Sequence, residues 1–369
     1  MKKWFMIALT MALWLTGCQD QKDLLNLLFP TTVVIDYSDN RYHLAFQIHN
    51  FNSISRGELE SGQSQDSILI VQGEGKTIEE AIGQIESEQR SALSLSHIRS
   101  LIIQSGMLEQ SRIQDLINYL TYNMELRMDT SLYYSEDDPS ELLSVSYQIG
   151  KSAIYTLSNS PEFKDISMEN QTINLLEFAK GLSDREITLS IPILKVDTNR
   201  NQYIGSEGEQ EQKVYLVSEC LFLDGKGNYT RLAIDRLEGR SWVRSHFNDV
   251  NVSYLLGDEV INFDSYRVTS WITYNPKDGC YHLKGKVRLT ITRAGTNTSL
   301  EDLKQLAEEL IKSQVSETYL AGLEAGVDVY NLTYHSLIKE ADPVPLTAKN
   351  FINELDVNLV IKGAYVEVQ

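Results

Sequence analysis

Apolar residues in this chain recur with two different periods, and the switches between them outline its secondary structure. Residues 32–37 and 42–48 are β-rich runs joined by Ser38-Asp39-Asn40-Arg41, a hairpin signature. A short apolar strand over 67–72 closes at Gly73-Glu74-Gly75. Thr77 and Glu80 have capping-box spacing, and Ile78, Ile82 and Ile85 share one face of the helix they open, widened by Ala81. An isoleucine-rich strand over 97–104 follows. Ser111 with Gln114 marks a second capping box ahead of Ile113, Leu116, Ile117, Leu120 and Met124 on one side. A strand over 132–134 breaks at Asp137-Asp138-Pro139, and further helices are predicted over 140–150 and 172–179, the second stopped by Gly181.

The pattern changes after residue 196. Residues 197–212 are polar, charged and poor in apolar positions, which reads as a linker or long loop. Strands then predominate, over 214–222, 229–233, 242–243, 251–255, 265–274 and 280–292. The clearest helix follows, with Thr298 and Ser299 as caps. Leu300, Leu303, Ala307, Leu310, Ile311 and Val315 mark one face, and the pattern runs raggedly on towards Leu337. Asp342-Pro343-Val344-Pro345 ends it, and Leu355, Val357, Leu359 and Ile361 alternate as a half-buried strand. The predicted fold class is α+β or mixed α/β: three consecutive domains, each a sheet with flanking helices. Their bounds are 31–196, a β-rich middle domain at 213–262, and 263–369 with the long helix.

The first residues have a different character. Lys2 and Lys3 precede an apolar run from Trp4 to Leu15, too short to span a bilayer, and Leu15-Thr16-Gly17-Cys18 then places small residues directly before a cysteine. This is a lipoprotein signal pattern: residues 1–17 are removed, Cys18 becomes the S-diacylglycerol-bearing N-terminus, and 18–30 form a lipidated tether. Losing two lysines and no acid takes the net charge from −18 to −20. So acidic a chain is no match for nucleic acid and does not lie on an anionic leaflet through basic side chains. Acyl chains anchor it without electrostatic help, at roughly 0.8 kcal/mol per buried methylene. The remaining cysteines, Cys220 and Cys280, are open to two readings: one disulfide in an exported protein, or two buried free thiols.

Catalytic constellations are missing from the sequence. The six histidines (His43, His49, His97, His246, His282, His335) show no zinc spacing. Gly73-Glu74-Gly75 lacks the third glycine and the lysine-serine pair of a phosphate cradle, and there is no nucleophile elbow. Acidic pairs such as Asp137-Asp138 and Glu308-Glu309 read as solvated surface at this composition. No catalytic, metal or cofactor-binding residue is assigned, and no enzyme activity is expected.

An ordered string of segments carries a resemblance instead. It runs from Leu15-Thr16-Gly17-Cys18 through Ile35-Asp36-Tyr37 and Tyr42 to Ile48, then Gly73-Glu74-Gly75-Lys76-Thr77-Ile78-Glu79-Glu80-Ala81. Ser96-His97-Ile98-Arg99-Ser100-Leu101-Ile102-Ile103 and Met124-Glu125-Leu126-Arg127 follow, then Cys220-Leu221-Phe222 and, after the long helix, Gly326-Val327-Asp328. In this order the chain resembles the Ger(x)C family, the lipoprotein C subunits of nutrient germinant receptors in endospore-forming bacteria. The resemblance implies a non-catalytic subunit on the outward face of the spore inner membrane, partnered by polytopic A and B subunits. Cys18 is the one functional residue it transfers. A substrate-binding lipoprotein of a solute transporter is the alternative, but its two-lobed design would repeat βα units in both halves.

Overall fold

A computed structural model describes residues 26–49, 68–123, 125–145, 173–184, 186–205, 208–243, 251–256, 259–293, 299–340 and 342–361. Its largest sheet starts with the predicted hairpin, β2 (Pro30–Ser38) and β3 (Arg41–His49), turned by Asp39 and Asn40 in left-handed conformation. The strand β1 (Leu27–Leu28) precedes it and pairs in parallel with β5 (Ala92–Leu93). Adding β4 (Ile68–Gly75), β6 (Ser100–Ile103), β7 (Ser131–Tyr134), β9 (Leu189–Gly205), β10 (Gly208–Leu223) and β11 (Tyr229–Ala233) gives the order β11-β10-β9-β7-β6-β2-β3-β4. The short β8 (Ile173–Asn174) pairs with β7 off that path.

Helices cover one face and share its core. In α1 (Ile78–Gln89) the Thr77 hydroxyl accepts from the Glu80 amide, and the predicted stripe buries Ile78, Ala81 and Ile85. The Glu80 carboxylate accepts from the Lys76 amide, one residue before the position a strict capping box uses. In α2 (Gln110–Tyr122) Ile113, Leu116 and Leu120 are buried as the pattern requires. Its cap differs from expectation: the helix starts at Gln110, and the Ser111 hydroxyl donates to Glu109 from inside the first turn. The opposite face is covered by α3 (Pro139–Leu143), where Asp138 accepts from the Ser140 and Glu141 amides and Pro139 sits at the first helical position. The predicted breaker therefore starts a helix. Gly181 likewise lies within α4 (Leu175–Leu182), and a Cβ there would come 2.3 Å from Leu189.

A second sheet, β12 (Asn251–Leu256), β13 (Glu259–Asn275), β14 (Cys280–Arg293) and β15 (Phe351–Ile361), has β15 parallel to β14 and the rest antiparallel. Against it packs α5 (Leu300–Ala325), whose Leu303, Ala307, Ile311 and Val315 are buried. The helix stops at Gly326, which takes the left-handed cap conformation, and a separate short helix, α6 (Leu332–Leu337), replaces the predicted run to Leu337.

Three expectations in the middle of the chain need correction. Residues 197–205 and 208–212 are not a linker: they are the far ends of β9 and β10, paired from Gly205↔Gly208 to Asp197↔Val214. A hairpin extension satisfies its backbone by pairing, so it requires no apolar side chains and looks like a loop in sequence. Residues 213–262 are divided: β10 and β11 complete the first sheet, β12 opens the second, and β13 runs through the predicted 262/263 boundary. Finally Trp242 is not in a strand but ends a 3-10 helix, Ile234–Trp242, with its indole N–H donating to Gln314 of α5 at 2.8 Å. The architecture is α+β throughout.

Candidate functional site

Cys18 and His246 lie outside the described residues. Every other position singled out for chemistry has a structural engagement. Asp137 accepts from the Val196 amide at 2.6 Å, and Asp138 caps α3. Glu308 pairs with Lys312, while Glu309 accepts from Gln305 on the solvent side of α5. His49 bonds the buried Gln47, His97 lies edge-on to Phe29, and His282 reaches Asp278 at 3.0 Å. Burial lowers the His335 pKa. No three His, Cys, Asp or Glu side chains among the described residues come together as a metal site. Cys220 is buried, Cys280 is half-buried, and both are free thiols.

The Gly73-Glu74-Gly75 run has a packing role. A Cβ on Gly73 would come 2.5 Å from the Ala81 carbonyl oxygen, and one on Gly75 2.5 Å from the Ala81 amide nitrogen. The two glycines let β4 lie directly against α1.

Several segments that carry the resemblance are tied to neighbouring loops by specific bonds. Asp36 accepts from the Gly106 amide at 3.0 Å, tying the first hairpin to the turn after β6. Glu125 accepts from the Leu95 amide at 3.3 Å, joining the loop before β7 to the loop before β6. Strand β10 serves two cores at once: Leu221 and Leu223 are buried with the first sheet and its helices, Cys220 and Phe222 with α5 and the second sheet. At the seam the Arg240 guanidinium donates to Ser190 at 2.6 Å and lies over the Phe222 ring. Asn331, with left-handed backbone, accepts from the Thr188 amide at 2.7 Å. Asp328, from the Gly326-Val327-Asp328 segment, accepts from the Leu332 and Thr333 amides. Beside this seam lies a polar cleft of about 330 Å³, lined in part by Glu186, Asp224, Lys226, Tyr229 and Asp328. A wider groove of about 560 Å³ runs between the 3-10 helix and α5, crossed by the Arg236–Glu324 ion pair.

Two charged clusters lie at the first sheet. Tyr42 donates to Asp115, and Arg112 lies 3.8 Å over the Tyr37 ring; burial and the carboxylate push the Tyr42 pKa up to about 12. Arg231 of β11 pairs with Glu136, holding that carboxyl below its ordinary pKa.

Residues 20–196 match the family model for the spore germination protein N-terminal domain. This part of the chain belongs to the spore germination protein N-terminal domain family. Among similar proteins, spore germination protein B3 of Bacillus subtilis (strain 168) is 23% identical over 141 residues, 38% of this chain and 36% of that protein. The putative spore germination protein YfkR of the same strain is 23% identical over 146 residues, 39% of this chain and 38% of that one. The matched stretches thus span under two fifths of those relatives' own lengths. The crystal structure of the GerBC protein shares the fold, with TM-score 0.50 at 13% identity, covering 90% of this chain and 97% of that one.

Proposed function

We propose that this protein is a member of the Ger(x)C family and a non-catalytic C subunit of a nutrient germinant receptor. In this reading it is held by Cys18 on the outward face of the spore inner membrane and acts through polytopic A and B subunits. The observation that carries the reading is the match of residues 20–196 to the spore germination protein N-terminal domain. The lipobox at Leu15-Thr16-Gly17-Cys18 supports membrane attachment by acylation; among the described residues no helix is long and apolar enough to cross a membrane. The engagement of the candidate acids, bases and thiols in caps, pairs and cores supports a role in holding partners.

Deleting the gene in the native host tests the proposal. Response to at least one nutrient should disappear, germination by a nutrient-independent trigger should persist, and restoring the gene should rescue the response. Unchanged nutrient responses with loss of uptake of a solute would favour the transporter reading instead.

A further inference from the structure

The end of the first sheet where the chain enters gathers several exposed apolar side chains. We propose that this end rests on the bilayer that holds Cys18, so that the anchor sets orientation as well as location. The inference rests on the lipid-anchor reading above.

Topology collects the elements. Strands β2, β6 and β7 are parallel, with Thr32↔Ser100 and Ser100↔Ser131 in register, so all three start at this end. Strand β3 runs back to finish here, with His49 opposite Ile68 at the start of β4. Helices α1 and α2 each connect onward to a strand that begins here, so both also end here. The Leu176 amide donates to the Met128 carbonyl at 3.1 Å, which adds the start of α4. Entry itself is fixed by the pairing of Leu27–Leu28 with Ala92–Leu93.

Four large apolar side chains are exposed at this one end: Leu69 (47%), Tyr122 (88%), Met128 (41%) and Leu176 (43%). A nearly bare tyrosine at a helix end suits the headgroup zone, where an amphipathic ring is favoured. Charge does little either way. Among the described residues the stretches 26–31, 86–99, 122–130 and 173–177 carry Arg90, Arg99 and Arg127 against Glu86, Glu88, Glu125, Asp129 and Glu177. This end is therefore mildly acidic with both signs interspersed, and the acyl anchor, not charge, holds it to the leaflet. Reach agrees. Cys18 is eight residues before Asn26, so the anchor and the first described residue are at most about 29 Å apart. Four exposed side chains are a weak membrane signal alone; the tether supplies attachment and they select the face.

Tryptophan fluorescence tests this directly. The chain from Cys18 onward contains two tryptophans, the buried Trp242 and Trp271 on the second sheet, which is 51% exposed. The mature chain, with Cys280→Ser, is coupled through the Cys18 thiol to a maleimide lipid in phosphatidylcholine–phosphatidylglycerol vesicles containing brominated acyl chains. With Tyr122→Trp and Trp271→Phe, emission should shift to the blue and be quenched; Met128→Trp in the same background should behave alike. The chain retaining Trp271 and Tyr122 should be unquenched. Both introduced reporters remaining unquenched, or stronger quenching at Trp271, would overturn the proposal, as would shielding seen only when the polytopic subunits are present. Because the coupling is chemical, the outcome does not depend on lipidation in the cell, which the mass of the native protein reads separately.

Discussion

Gln47 shows at the residue scale how much of this fold rests on groups that a hydropathy pattern passes over. It sits between Phe46 and Ile48 in β3, donates to the Leu143 carbonyl at 2.6 Å and accepts from the hydroxyls of Thr31 and Thr32 at 3.2 Å. Gln47→Leu keeps the volume but orphans buried polar groups, so chemical denaturation should show a loss of about 1–3 kcal/mol. Substituting the exposed Glu88 should change stability by no more than roughly 0.5 kcal/mol. Buried tyrosines set the alkaline limit. Tyr42, Tyr133 and Tyr319 are pushed up to about 12, each chiefly by burial, and Tyr330 is raised further. A folded-state pKa above the unfolded value contributes stability that is whole below about pH 10 and lost as pH rises towards 12. Tyrosinate absorbance should therefore appear in two classes, the later one coinciding with unfolding. A single class titrating near pH 10 in folded protein would contradict these burials.

Elements differ in how far the sequence specifies them. The α5 stripe was legible because one buried face of a long helix repeats its signal over many turns. Ile311→Ala on that stripe should cost roughly 2–5 kcal/mol, whereas Leu320→Ser on the exposed face should cost little. The 3-10 helix Ile234–Trp242 was not legible, since its placement depends on a close approach that no local pattern encodes. A Cβ on Gly239 would lie 2.4 Å from the Gln314 carbonyl oxygen. Gly239→Ala should therefore push this segment off α5 and destabilise the protein by about 1–3 kcal/mol, with a change in the fluorescence of Trp242. The extension of β9 and β10 escaped notice for the opposite reason: it is held by backbone pairing, so its polar side chains resemble a loop.

For the whole molecule, the sequence conveyed the mixture of sheets and helices, because hairpins, caps and periodic helices are local. It did not convey how the halves share a wall. Alternate residues of β10 face separate cores, a relation fixed only when distant elements arrive on both sides. Asn331→Gly keeps the left-handed backbone but removes the acceptor for Thr188, so it should loosen the seam between α6 and the segment before β9. Amide exchange should rise at Thr188 while the centre of the first sheet remains protected; no change at Thr188 would count against the seam. Of candidate functional residues the sequence offers one in a short motif, Cys18, which lies outside the described residues.

That residue offers the most direct test of the central claim, that the protein works as a membrane-held receptor subunit. Cys18→Ala is introduced at the native locus, and spores are followed for membrane association of the protein and for nutrient-triggered germination. The account predicts that the variant leaves the membrane fraction or remains an uncleaved precursor, and that the nutrient response falls to the level of the gene deletion while nutrient-independent germination is intact. A processed variant that remains equally membrane-bound, or a full nutrient response from protein found in the soluble fraction, would contradict it.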